Sequence, residues 1–394
     1  MTIRHITRDE YDIANDIKYI AFLKSPAPQK NDADDPDAIY SSIVGYFDDG
    51  GTMTARIRNM AYEAFFEGER VPIGAICAVA SSPEARGRGR IRELFQYALK
   101  EDYDRGALFS TLFPFSHGYY RNLGYELCAH LQKVRVPIEE LRGFAGMPCA
   151  AKLHRLSDGF DVIRQIEARM FQPYNPCMLL TDRQYKKALG GDPVLHGDYR
   201  YILSDPDGTP CAYVYFTAQS HQGQTIAAVD ALAYTHLSAL QRTLGFLYGL
   251  RAQYAYVELP LPMDADLLQM LPEPKRAEVC IVPHGMARLV HTQEALRRMR
   301  HPAGTGAYTV RVLDPICPFN EGTYTVSYEN GCVSASRTQL QPDLIADVGT
   351  FTQLVLGTYA LDSVLWKDSV SLLQNEQTLR AVFVQRPTYF PRHF

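Results

Sequence analysis

The sequence predicts an α+β protein: two units with a mixed central sheet flanked by helices, then a smaller unit of strands and helices. Three observations carry this. An apolar run, Ile73 to Val79, meets a turn rich in Gly and Arg, and then a stretch from Ile91 to Tyr103 with apolar residues at helical spacing. The same order of strand, loop, helix and strand returns between residues 200 and 261. Beyond residue 286, Asn330-Gly331 separates two strand patterns, and two helical patterns follow.

The chain of 394 residues has room for two or three domains. With 46% hydrophobic and 21% charged residues it is globular rather than disordered. A net charge of −4 makes no electrostatic case for nucleic acid. Met1 to His5 leads into no apolar stretch of the signal-peptide kind, and no run approaches about eighteen apolar residues. A cytoplasmic protein without a membrane span is expected. The eight cysteines are scattered and form no C-x-x-C pair. They read as reduced, mostly buried thiols, with no metal site.

Taken in order, residues 3–23 open with a strand and a helix. Thr7 and Glu10 have capping-box spacing before Ile13, Ile17 and Ile20. Residues 25–37 carry three prolines and four aspartates and read as a solvated acidic loop, or as an acidic lip for an amine. Residues 45–76 fit a meander with strands at 52–59 and 63–68. The strand at 73–79 and the helix at 91–103 follow, then a strand at 107–114, a short helix around Tyr120 and a strand at 127–136. Residues 137–147 form a connector. The second unit has helices at 153–171 and 238–254 and strands at 200–203, 212–216, 225–232 and 256–261. The third has a helix at 293–300, strands at 308–313, 322–329 and 332–338, and helices at 343–356 and 361–373. Domain limits are expected at 1–147, 148–285 and 286–394. Trp366, the single tryptophan, defaults to core packing.

The chemistry concentrates at Arg86-Gly87-Arg88-Gly89-Arg90-Ile91. A strand, a Gly-rich turn and a helix start together aim unpaired backbone N–H groups, and the positive end of the helix dipole, at one spot. The glycines permit close approach and the arginines add charge. This is a pyrophosphate cradle. The Walker ending Gly-Lys-Ser/Thr is absent, and G-x-G-x-x-G fails at Arg92.

Arg86-x-x-Gly89 resembles the acyl-coenzyme-A loop of the GCN5-related N-acetyltransferases, although the closing Gly or Ala of that pattern is Ile91 here. Tyr119-Tyr120-Arg121-Asn122-Leu123-Gly124-Tyr125, and the aromatic end Tyr389-Phe390-Pro391-Arg392-His393-Phe394, resemble the enhanced-intracellular-survival (Eis) branch of that superfamily. The resemblance spans nearly the whole chain. It implies tandem acetyltransferase folds, the second degenerate at Ala233 to Ser238, followed by a sterol-carrier-like domain. It implies acetyl-coenzyme A held by Val79, Ser81, Arg86, Gly87, Arg88, Gly89, Arg90 and Ile91. It also implies Tyr120 as the acid that protonates the thiolate, the carboxylate of Phe394 as base, and a homo-oligomer, a hexamer in that branch. His117 and His393 are rival bases. Glu258 and Asp230 read as surface carboxylates before substrate contacts. The expected activity is acetyl transfer to a primary amine of a cationic small molecule, an aminoglycoside or a polyamine. The alternative is a non-catalytic coenzyme A or lipid sensor on the same scaffold.

Overall fold

The structure, a computed structural model, describes residues 1–23, 39–147, 149–189 and 191–391, without the side chains of Lys187 and His221. The chain folds into two compact units. One comprises Met1–Ala64, Arg70–Cys128 and Gly285–Gln385; the other comprises Phe65–Glu69, Ala129–His284 and the segment from Arg386 onward. The regions expected as first and third domains therefore share one unit. No helix among the described residues is long and apolar enough to cross a membrane.

The first unit is built on β1 (Thr2–His5), β2 (Ile43–Phe47), β3 (Met53–Phe66), β4 (Glu69–Ser81) and β5 (Phe109–Leu112), hydrogen-bonded in that order. β1 to β3 are antiparallel, and β4 runs parallel to β5. Helix α1 (Tyr11–Ala21) starts where the sequence places its cap. The Thr7 amide donates to Glu10 at 2.8 Å, and Arg4 holds the Glu10 carboxyl down at about 2. α1 covers one sheet face through Ala14 and Ile17. Helix α2 (Arg90–Asp104) covers the other through Leu94, Phe95, Ala98 and Leu99, against Ala55 and Ile57 of β3.

The two strands expected at 52–59 and 63–68 are one continuous strand, β3. No Gly or Pro interrupts Met60-Ala61-Tyr62, and Asn59 serves the interior rather than a turn. Its amide donates to Asp102 at 2.7 Å. Asp102 is fully buried, with Arg105 at 2.6 Å. It lies so close to β4 that a Cβ on Gly74 would stand 1.9 Å from its Oδ2. Burial pushes the Asp102 carboxyl up to about 6, against the pull of Arg105 and Asn59. The folded protein thus holds this proton more tightly than the unfolded chain. The stabilisation is complete below about pH 4 and is lost as pH rises through about 6. In urea titrations, the stability of the parent relative to Asp102→Asn is expected to fall by about 2–3 kcal/mol between pH 4 and pH 7.

In the same unit a second sheet orders Cys332–Arg337, Gly322–Glu329, Thr305–Leu313, Leu344–Asp347 and Val370–Leu372. Asn330 and Gly331 both have positive φ, as a type I′ hairpin requires. Two expected helices change here. Residues 343–356 begin as a strand, and the helix Val348–Leu356 starts only after Asp347, which accepts from the Thr350 amide at 2.9 Å. Residues 361–373 hold a strand instead of a helix, because Val370 pairs with Ala346 and Asp368-Ser369 breaks the helical run. Trp366 is 78% exposed, so it is not core; the segment that was to bury it is not a helix.

The second unit repeats the plan. Strand Glu126–Pro137 leads to Tyr256–Leu261, Gln224–Tyr234, Pro210–His221, Asp198–Ser204 and Ala150–Leu153 in sheet order. Helices Asp161–Phe171 and Leu237–Tyr248 pack on it, both shorter than expected. Helix Asp182–Leu189 had no clear apolar periodicity in the sequence. Cys128, Cys177, Cys211 and Cys317 are buried, Cys77 and Cys149 half-buried, and Cys280 and Cys332 exposed.

Candidate active site

β4 pairs with β5 only from Ile73–Phe109 to Ala75–Thr111, yet β4 continues to Ser81. From Ile76 onward its edge parts from β5, leaving backbone N–H and C=O groups open to an added strand. Ala78, at φ +50°, marks a kink within this open stretch. Pro83 then ends the strand by starting a short turn of 3-10 helix, Pro83–Ala85.

Gly87 and Gly89 both adopt left-handed φ, +74° and +76°. A Cβ on either would meet nothing within 4 Å, so the space above both is open. Gly89 is the N-cap of α2 and supplies no side chain to the first N–H groups, which stay available to a ligand. The Arg90 guanidinium lies 5.3 Å over the Tyr46 ring, and Arg92 donates to the Pro315 carbonyl at 3.3 Å. Arg86 and Arg88 are exposed. A cavity of about 780 Å³ joins these parts. Val79, Ser81, Arg86, Gly87, Arg88, Gly89, Arg90 and Ile91 all line it, with Phe22 at the end of α1 and Phe115 and Tyr119 opposite. Ile91, in place of the small residue of the family pattern, packs partly into the core under α2 and leaves the helix start open.

Tyr120 sits on helix α3 (His117–Arg121), whose Ser116 N-cap accepts from the Tyr119 amide at 3.4 Å. It is only 4% exposed and, unlike Tyr119, does not line the cavity wall. Its ring rests against Phe115 and Tyr119, with centroids at 5.4 and 5.3 Å. Burial raises its hydroxyl well above the usual tyrosine value, and the neighbouring Tyr119 and Cys77 add to this. Burial also raises Tyr119. The rest of the motif sets this position. The Leu123 and Tyr125 amides both donate to the Tyr120 carbonyl, at 2.9 and 3.1 Å, and Tyr125 exchanges a 2.7 Å hydrogen bond with Ser110. Gly124 has φ +80°, and a Cβ there would stand 2.7 Å from Arg288 Nη1 and 2.8 Å from Val348. Gly124→Ala is expected to cost about 2–4 kcal/mol in chemical denaturation.

Phe394 and His393 lie outside the described residues, as does the acidic stretch 25–37. The tail that leads to them is fixed in the second unit. Tyr389 is buried against Phe171 and Tyr174, and the Pro387 carbonyl accepts from the Asn175 amide at 2.9 Å. His117 is half-buried, and its Nε2 has no hydrogen-bond partner. Glu258 is taken up by Arg135 at 2.8 Å and Lys133 at 3.5 Å, and Asp230 accepts from Thr217 at 3.3 Å.

In the second unit the matching helix start is filled from within. His236 Nδ1 accepts from the Ala239 amide at 3.1 Å and caps helix Leu237–Tyr248. Its Nε2 therefore carries the proton and donates to Asp205 at 3.0 Å, while Arg242 holds the other Asp205 oxygen. Asp205, Cys211 and His236 bring possible ligand atoms within 4.8 Å of one another. A cation on Nε2 would force the proton to Nδ1 and break the cap, so this grouping is already committed to internal contacts.

Sequence reasoning passed over Phe22, Phe115 and Tyr119, and also Cys77 and Arg56, discussed below. Tyr119 had a visible signal, the Tyr-Tyr pair, but which of the two faces the cavity depends on the rotation of α3.

Residues 2–128 and 161–289 match families described as Acetyltransferase (GNAT) domain, and residues 292–391 match the Sterol carrier protein domain. No curated protein matches the chain in sequence. Among solved structures, the chain is similar to a GCN5-related N-acetyltransferase from Anabaena variabilis, at 18% identity and TM-score 0.86 over 100% of both chains. It is similar to an Enterococcus faecalis protein described as a probable N-acyltransferase, at 21% identity and TM-score 0.88 over 100% of this chain and 99% of that one. Eis1 from Mycobacterium abscessus is similar at 20% identity and TM-score 0.82, over 100% of both chains.

Proposed function

This chain is an acyltransferase of the GCN5-related N-acetyltransferase superfamily, with two such domains and a sterol carrier protein domain, and we propose that it moves the acetyl group of acetyl-coenzyme A to a primary amine by direct transfer in a ternary complex. The observation that carries this reading is the union, in one cavity, of an unpaired strand edge and an uncapped helix start. The open edge at Val79 and Ser81 binds the pantetheine arm as a strand would. The N–H groups at Gly87 to Ile91, with Arg86 and Arg88, hold the pyrophosphate. The backbone at Val79 polarises the thioester carbonyl.

Tyr120 gives its proton to the departing thiolate. Its raised proton affinity makes it a weaker acid than free tyrosine, so the thiolate must be desolvated in the same apolar surroundings to accept the proton. A raised pKa also keeps Tyr120 protonated across the neutral range. The profile of kcat against pH is expected to show no loss from this group below about pH 10.

The carboxylate of Phe394 is the base that the resemblance implies, and it orients the amine as much as it accepts the proton. A protein extended by three residues after Phe394 that keeps the parent kcat removes that role. The second domain, with its helix start closed by His236, acts in packing rather than as a second donor site. A hexamer, which the resemblance implies, is checked by analytical ultracentrifugation.

No carboxylate lines the cavity among the described residues, so a cationic acceptor rests on the aspartates of residues 32–37. The test is thiol release from acetyl-coenzyme A with aminoglycosides, polyamines, lysine peptides and amino acids as acceptors. Turnover with any of these amines supports the reading. Tight coenzyme A binding without turnover on any of them leaves a coenzyme A-binding module.

A further inference from the structure

Arg56 is a buried cation without a counter-ion. It stands on β3, is 2% exposed, and makes no ion pair with any described residue. Its one hydrogen bond runs from Nη1 to the Ala14 carbonyl of α1 at 3.5 Å, the outer limit of such a contact. Its Nε is buried without a partner. Arg288, equally buried in the same unit, shows what a satisfied guanidinium looks like here: it has Asp314, the Leu123 carbonyl at 2.6 Å and the Leu289 carbonyl at 3.3 Å. An uncompensated charge in the interior is costly and is normally paired. Arg56 bears that cost in the chain alone; burial weakens its hold on its own proton, to about 10.

Its surroundings place it beside the reacting position. The groups whose charge reaches Arg56 are Cys77, Arg58, Tyr11 and Tyr19. Cys77 also acts on Tyr120. The thiol therefore stands near both the proposed acid and the unpaired guanidinium. Cys77 lies on β4 one residue before the Ala78 kink, where β4 has parted from β5 and the cavity wall is about to begin at Val79.

We propose that Arg56 holds a carboxylate of the acceptor beside the acyl-transfer position, so that the acceptor is an amine that also bears a carboxylate rather than a polycation. This rests on the acetyl-transfer reading above. Nη1 is turned to α1, which leaves Nε and Nη2 as the fork that meets two carboxylate oxygens. Only a bound anion removes the cost of the buried charge, and a second cation there would add to it.

The experiment compares matched acceptors that differ only in the carboxylate: lysine against cadaverine, 4-aminobutyrate against butylamine, and phenylalanine against phenethylamine. Each is measured by thiol release with the parent, Arg56→Met and Arg56→Lys. The parent is expected to favour the carboxylate member in kcat/KM by about tenfold or more in at least one pair. In Arg56→Met the ratio is expected to fall below about threefold, with partial recovery in Arg56→Lys. A parent ratio near one in every pair, or an unchanged ratio in Arg56→Met, overturns the proposal.

Thermal melting without acceptor adds a second readout. Arg56→Met is expected to melt at or above the parent temperature, because it removes an unpaired buried charge. A lower melting point means that a carboxylate of this chain already pairs with Arg56, which also overturns the proposal. If no amine is turned over, acetyl transfer fails as a reading. Calorimetry of 4-aminobutyrate on the coenzyme A-loaded protein then decides separately: binding that Arg56→Met abolishes sustains the carboxylate site, and no binding to the parent removes it.

Discussion

Gly89→Val is expected to raise the KM for acetyl-coenzyme A by about a hundredfold while the protein still folds. Gly89 caps α2 at φ +76°, a conformation that a β-branched residue adopts only under strain of about 1–3 kcal/mol. The added Cβ has free space in the protein alone, so the fold does not forbid the variant. The conflict arises with the donor. Relieving the strain rotates the start of α2 and re-aims the N–H groups of Arg90 and Ile91, and the new side chain occupies the space over the turn. Losing two hydrogen bonds to a charged phosphate, at about 1.5–3 kcal/mol each, accounts for a hundredfold or more. Steady-state kinetics with a saturating amine, beside far-ultraviolet circular dichroism, checks it. A KM within about threefold of the parent in a folded Gly89→Val protein would move the phosphates away from this turn.

Tyr120→Phe is expected to lower kcat by about 10²–10³-fold and to leave the KM for acetyl-coenzyme A within about threefold. The phenyl ring preserves the contacts with Phe115 and Tyr119, so the loss isolates the hydroxyl. Tyr119→Phe is the comparison, because Tyr119 faces the cavity while Tyr120 stands behind the wall. It is expected to cost less than about tenfold. The reverse order of effects would assign the proton to Tyr119, and near-parent rates in both variants would leave the thiolate to protonation by water.

The donor half of this site was legible in the sequence because it is local. A strand, a turn and a helix start lie within twenty residues of one another, and the chemistry of a helix N-terminus follows from the backbone alone. The motif around Tyr120 was legible for the same reason, with Gly124 fixed by a positive φ and a close neighbour. Long-range geometry was not legible. The parting of β4 from β5 depends on register, and no residue between Ile76 and Ser81 announces it. Arg56 read as one more charge in a strand, since alternation puts polar residues on one face and does not reveal that α1 covers that face. Trp366 and the segment 361–373 show the converse. A helical pattern yielded to strand pairing with Leu344–Asp347, because partners distant in sequence outweigh short-range propensity.

The most direct measurement is hydrogen–deuterium exchange of the full-length protein with and without coenzyme A. Protection is expected at residues 76–81 and 86–92, where the open edge of β4 and the start of α2 gain partners. No protection is expected at residues 233–240, where His236 already caps the helix. Protection at 233–240 without any at 76–92 would put the donor in the other domain and contradict the site described here.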